Sequence, residues 1–183
     1  VGGLKGGLAY ANLFTNAMAA SILGSAVAQI GVMSKVMIPA MERAGYNRAF
    51  SGAVTVTAGL LGPIIPPSIP MVLYGVVSDT SIGFLFMAGV IPGLLLAAGQ
   101  SGVVAVLART RDFPVEPPPT LREAARITLD SAPVLTLPAI LLGGIYSGAV
   151  TPTEAAAVAA ACALLLAFFW YRTLSLGAFY RVL

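Results

Sequence analysis

Apolar residues run along this chain in long blocks, and the short interruptions between them carry most of the information. The longest block, residues 49–77, would form one membrane-crossing helix but for Gly62-Pro63-Ile64-Ile65-Pro66-Pro67-Ser68 at its centre. Pro63, Pro66 and Pro67 each remove a backbone donor and clash with the preceding turn, and Gly62 loosens the chain further. The pattern predicts two half-helices around a break, together occupying residues 49–81 and ending in the turn Ser78-Asp79-Thr80-Ser81. Ahead of it, residues 8–40 stay apolar for about 33 residues. That is long for one crossing of about 20 residues and short for two with a loop. Its centre, Ser21-Ile22-Leu23-Gly24-Ser25-Ala26-Val27-Ala28-Gln29, is small and polar, which predicts the tip of a re-entrant hairpin within residues 1–48. Asn12, Thr15 and Asn16 lie on the incoming limb, and Ser34 and Lys35 on the outgoing one.

After the break comes one apolar span, residues 82–108, and then a change of character. Residues 109–131 hold the Pro-rich stretch Asp112-Phe113-Pro114-Val115-Glu116-Pro117-Pro118-Pro119, expected to be a cytoplasmic linker. Thr120-Leu121-Arg122-Glu123 reads as a capping box opening a short helix at the membrane surface. Residues 132–183 should supply two more spans, about 132–148 and 152–170, with a loop beyond. The second span opens on Thr151-Pro152-Thr153-Glu154, another capping box with Pro at the first helical position. The fold class is therefore all-α and polytopic, with the lipid bilayer as solvent.

Composition agrees. With 58% hydrophobic residues, 9% charged and a mean hydropathy of +0.92, the chain is too apolar for an ordinary soluble domain. The net charge of +3 is no footprint for nucleic acid, because the Lys and Arg residues sit singly or in small groups between apolar blocks. With the hairpin turning back, every basic residue falls on one side of the membrane, which the positive-inside rule assigns to the cytoplasm. There is no His, and Cys162 is the single cysteine, so a disulfide framework and a Cys/His transition-metal site are excluded within the chain. An intramembrane enzyme would need a nucleophile with its base, paired aspartates or metal ligands, and the candidates are poor. Beginning at Val1 and ending at Leu183 without a start or stop pattern, the chain is expected to be part of a longer protein.

A break at membrane mid-depth points to a transporter site, where unwound carbonyls and half-helix ends face an ion and a solute. A channel or another ion-coupled carrier would explain the break equally well. Asn16, Thr57 and Ser68 are candidates for the solute path, with Asn12 and Thr55. Hydrogen bonding between helices is the alternative for such groups. Lys35 is read as a snorkelling residue near the cytoplasmic end. Glu154 is read as a cap, Asp79 and Asp130 as solvated charges, and Cys162 as a small buried residue.

Three ordered motifs carry a resemblance. Gly62-Pro63-Ile64-Ile65-Pro66-Pro67-Ser68-Ile69-Pro70-Met71, with Tyr74-Gly75, resembles the large membrane subunit (DctM-type) of tripartite ATP-independent periplasmic (TRAP) transporters. Gly89-Val90-Ile91-Pro92-Gly93-Leu94 is similar to a second hallmark, and Gly144-Ile145-Tyr146-Ser147-Gly148 with Thr151-Pro152-Thr153-Glu154 to a third. The resemblance implies an elevator fold of the ion-transporter superfamily, built from two inverted repeats, in a bacterial inner membrane. It also implies sodium-driven uptake of organic acids such as C4-dicarboxylates or sialic acid, without any cofactor beyond the coupling ion. The implied partners are a small membrane subunit and a periplasmic binding protein. Residue by residue, it maps a sodium cage onto Gly24 and Ser25 at the hairpin tip and onto Gly62, Ile65 and Pro67 at the break. The family's tip is usually Ser-Gly-Ser followed by an Asp. Here Leu23 precedes Gly24-Ser25, and Gln29 stands where the acid would be.

Overall fold

A computed structural model of the chain describes residues 3–111, 113–115, 120–173 and 177. Most of the Pro-rich stretch expected as a linker, and most of the loop expected after residue 170, lie outside them. The described residues are helical with short connections and contain no strand. The chain divides into two compact units, Val1–Pro119 and Thr120–Leu183.

The first unit holds α1 (Gly7–Leu23), α2 (Ala26–Arg43), α3 (Arg48–Gly59), α4 (Ile69–Ser78) and α5 (Ile82–Thr110). With 17 and 18 residues, α1 and α2 each fall just short of a full crossing of about 20. They meet at Gly24-Ser25, where Gly24 reverses the chain at φ 61°, in the left-handed region that suits glycine. The buried stripe of α1 is Ala9, Asn12, Leu13, Asn16 and Ala20, and that of α2 is Gln29, Met33, Met37 and Met41. Both follow the i, i+3/i+4 spacing of one helix face.

At its far end α2 closes with a Schellman motif. Gly45 sits at φ 91° and its amide donates to Glu42 O at 2.9 Å, while Tyr46 N donates to Met41 O at 3.0 Å. This turn delivers Tyr46 into a core with Ala9, Leu13, Met41, Val54, Ala58 and Val104. Phe113, just past α5, stacks on it: its ring centre lies 5.3 Å from that of Tyr46 and 4.7 Å from that of Phe50. The α2–α3 connection and the end of the unit are thus joined by aromatic contact.

Asn47 caps α3, accepting from Ala49 N at 2.8 Å. The helix then ends at Gly59, and α4 does not begin until Ile69. The expected break therefore spans residues 60–68, with half-helices of 12 and 10 residues on either side. Ser68 restarts the helix: its hydroxyl donates to Pro63 O at 2.6 Å and accepts from Met71 N at 3.3 Å. Across from the break, Gly89 and Gly93 of α5 form a notch one turn long. A Cβ at Gly89 would stand 2.6 Å from Ile64 O, and one at Gly93 would stand 2.7 Å from Ile65 Cγ1. Two glycines four apart let one backbone approach another closely.

The second unit holds α6 (Leu121–Tyr146) and α7 (Pro152–Leu165), the latter running on into a π-helical turn, Leu166–Trp170. Both predicted capping boxes form. Thr120 N and Oγ1 donate to Glu123 Oε2 at 2.9 Å, and Thr151 N and Oγ1 donate to Glu154 Oε2 at 2.8 Å. The sequence separates a surface helix ending at residue 131 from a span starting at 132. The structure runs one continuous helix, Leu121–Tyr146, through both. Pro133 and Pro138 lie singly in an otherwise favourable helix, and Thr136 Oγ1 donates to Pro133 O at 2.6 Å. Isolated prolines of this kind are tolerated in apolar helices, whereas three within five residues, as at Pro63–Pro67, are not. Among the described residues, three stretches are long and apolar enough to cross a membrane: Ile82–Thr110, Ala125–Tyr146 and Pro152–Trp170.

Candidate functional site

The hairpin tip meets the break directly. Ile69 N donates to Gly24 O at 3.2 Å, which ties the start of α4 to the tip. A Cβ on Gly24 would lie 2.7 Å from Pro67 O, and one on Gly62 would lie 3.2 Å from Ser25 C. Gly24 thus faces Pro67, and Ser25 faces Gly62, so four of the five residues mapped as an ion cage come together here. For Ile65 the contact shown is that of its side chain, which enters the Gly93 notch.

Backbone acceptors outnumber donors at this junction. Pro63, Pro66 and Pro67 have no N–H to give. The carbonyls of Gly62, Ile65 and Pro67 accept no hydrogen bond among the described residues. Residues 21–29 and 60–70 contain no charged side chain. A cluster of neutral carbonyl oxygens is a donor set suited to a hard, weakly charged cation. It does not suit a transition metal, and no His/Cys/Asp/Glu cluster occurs among the described residues.

Beneath the tip runs a buried line of polar side chains from three helices. Gln29 Nε2 donates to Asn16 O at 2.8 Å and to Asn16 Oδ1 at 3.0 Å. Asn16 Nδ2 donates to Asn12 O at 3.0 Å and Asn12 Oδ1 at 2.7 Å. Asn12 Nδ2 donates to Thr55 Oγ1 at 2.8 Å, and Thr55 Oγ1 to Ser51 O at 2.8 Å. All five residues are fully buried. Asn16, a solute-path candidate, therefore has its side chain engaged between helices. Thr57 is exposed, its hydroxyl bonded to Ala53 O at 2.8 Å and its carbonyl accepting from Gln100 Nε2 at 2.7 Å. Ser68 is buried as the α4 cap.

Sequence reasoning did not find Gln100, Gly89 and Gly93 as supports of the break. The i, i+4 glycine pair in α5 was the available signal. Beside the junction lies a cleft of about 640 Å³, walled mainly by apolar residues such as Phe14, Met18, Ile65 and Leu94, with Tyr10, Ser21 and Ser101 as its hydroxyl-bearing residues. Ser101 donates to Ala97 O at 2.8 Å, and the lining has no Lys or Arg, so these walls hold an acidic solute poorly.

The model of the DctM component of tripartite ATP-independent periplasmic transporters matches residues 1–183, the whole chain. The chain belongs to the DctM family. Its relatives within the family bear out the breadth of that group. It is 43% identical, over all 183 residues, to a C4-dicarboxylate TRAP transporter large permease protein of Pseudomonas aeruginosa, covering 43% of that protein. It is 39% identical over the same 183 residues to a sialic acid TRAP transporter large permease of Vibrio cholerae, again covering 43%. It is 39% identical over 180 residues to an ectoine/5-hydroxyectoine TRAP transporter large permease of Ruegeria pomeroyi, covering 98% of this chain and 42% of the relative. As a DctM-family chain it is a protein of the bacterial inner membrane, and it spans less than half the length of the curated relatives it matches.

Proposed function

We propose that this chain is the cation-binding first half of a secondary active transporter for organic acids, in which the tip–break junction binds the coupling ion. Gly24, Ser25, Gly62, Ile65 and Pro67 supply neutral oxygens to a sodium ion, which is cargo rather than a resident cofactor. Binding draws tip and break together and orders the starts of α2 and α4, whose positive N-terminal ends then favour an anionic solute nearby. Asn16, Thr57 and Ser68 belong to the approach to that solute. Completion of the solute site falls to a second, inverted repeat opening with α6 and α7, and a hairpin-bearing transport domain moves against a scaffold as an elevator. Delivery of solute by a periplasmic binding protein and association with a small membrane subunit belong to the same reading.

The observation that carries it is the direct approach of Gly24 to Pro67 O in a junction of unpaired carbonyls. Relatives named for C4-dicarboxylates and sialic acid support an acidic solute. The test is uptake into proteoliposomes holding the full-length protein and its small subunit, with a panel of organic acids, with and without binding protein and a sodium gradient. Uptake that needs both sodium and the binding protein is expected. Uptake needing neither would put the protein among carriers or channels that work alone.

A further inference from the structure

Gln29 is fully buried, and its side-chain oxygen has no hydrogen-bond partner among the described residues. The direction of the polar line beneath the tip follows from chemistry. Thr55 has one hydroxyl proton and gives it to Ser51 O, so its oxygen must accept from the Asn12 amide. That turns the Asn12 oxygen toward the Asn16 NH2, and the Asn16 oxygen toward the Gln29 NH2. Backbone carbonyls, which cannot be flipped, fix the same orientation independently. Asn12 O and Asn16 O each require an NH2 facing them, from Asn16 and Gln29 respectively. Turning any amide over would set oxygen against oxygen. The line therefore ends with the Gln29 Oε1 pointing away from its neighbours. A Cβ on Gly62 would lie 2.8 Å from that atom, which places it at the tip–break junction.

A buried acceptor without a partner is costly, and here it is held in place by five residues of three helices. What would satisfy it must bring positive charge or a proton to a place where three prolines supply no N–H. We propose that Gln29 Oε1 is a side-chain ligand of the coupling cation, aimed by the Ser51–Thr55–Asn12–Asn16 line, and this rests on the junction being the cation site. Being a neutral amide, it adds a strong dipole to the backbone carbonyls without adding a charge that a proton could cancel.

The test uses the purified full-length protein with its small subunit and reads thermal unfolding against sodium chloride, with choline chloride holding ionic strength constant. A ligand that binds only the folded state raises the midpoint with its own saturation curve. Wild-type protein is expected to show a sodium-specific rise. Gln29→Met keeps the volume and removes the oxygen, and the sodium concentration for half-maximal stabilisation should increase at least tenfold. Gln29→Asn keeps an amide but withdraws it by one methylene, with the same expected increase, and it decides the matter if Gln29→Met does not fold. Thr55→Val leaves Gln29 in place but releases the line from its anchor, and should raise the value about threefold. A wild-type sodium titration in either Gln29 variant overturns the assignment while leaving the cation site standing. A wild-type protein indifferent to sodium removes the reading beneath it.

Discussion

Gly24 and Gly62 answer to different constraints. At Gly24 an alanine meets both a backbone dihedral of +61° and the Pro67 carbonyl; at Gly62 it meets Gln29 Oε1 and the backbone of Ser25. At Gly24 the obstacle is backbone, and at Gly62 it is a side-chain oxygen whose amide is bonded to Asn16, with the Ser25 and Ala26 backbone just behind, so the tip must move off the break. Gly24→Ala and Gly62→Ala should each lower sodium-driven uptake at least tenfold in proteoliposomes. Gly99→Ala, with nothing within 4 Å of the new methyl, should leave uptake unchanged. Equal losses in all three would mean that the glycines matter only to helix flexibility. At this scale the tip and break were legible because glycine and proline announce themselves locally. Gln29 was legible only as a departure from a pattern. Its partner Asn16 lies 13 residues back and Asn12, next in the line, reaches a threonine 43 residues ahead of itself, and no local signal spans those distances.

Among elements, α5 supports the break through two contacts of unlike kind. At Gly93 the intruder is a side chain alone, at Gly89 the Met71 methyl together with the Ile64 backbone carbonyl. Gly93→Ala should destabilise by about 1–3 kcal/mol through overpacking, and Ile65→Ala in the same protein should recover part of that loss. No change at Ile64 should rescue Gly89→Ala, because the offending oxygen belongs to every residue type. Additive losses for Gly93 and Ile65 in a denaturation cycle would argue against the notch. The start of α6 offers a pH test. The Thr120 backbone amide, then its hydroxyl, hold the Glu123 carboxyl below the usual carboxylate range. A depressed folded value means the cap contributes fully above the ordinary glutamate value of about 4.3 and is lost as pH falls through the folded one. Carboxyl 13C shifts should titrate with a midpoint below that of free glutamate, and Thr120→Ala should move it back up. The boxes themselves could be read from sequence. The continuity of α6 could not, since a helix that dips from surface into membrane changes its polarity pattern without changing its backbone.

Across the whole molecule, periodicity and breakers located the helices because a bilayer leaves few options: long apolar helices, or breaks that something must satisfy. What stayed hidden was which polar groups face which, and that decides the chemistry. The first unit inverts the soluble arrangement. Asn12, Asn16, Gln29, Ser51, Thr55 and Ser68 are buried, while Val27, Val76, Val77 and Phe84 lie exposed, as lipid-facing residues should. A consequence follows from the aromatic stack of Tyr46, Phe50 and Phe113. It fastens the unit near the start of α1 and the ends of α2 and α5, about 22 Å along α1 from the tip. The aromatic grip sits at one end of these helices, the buried polar line lies between, and the junction is at the other end, where among the described residues one backbone bond joins tip to break. The arrangement is that of tongs riveted at the handle: the jaws can part and meet by small amounts while the rivet keeps its grip.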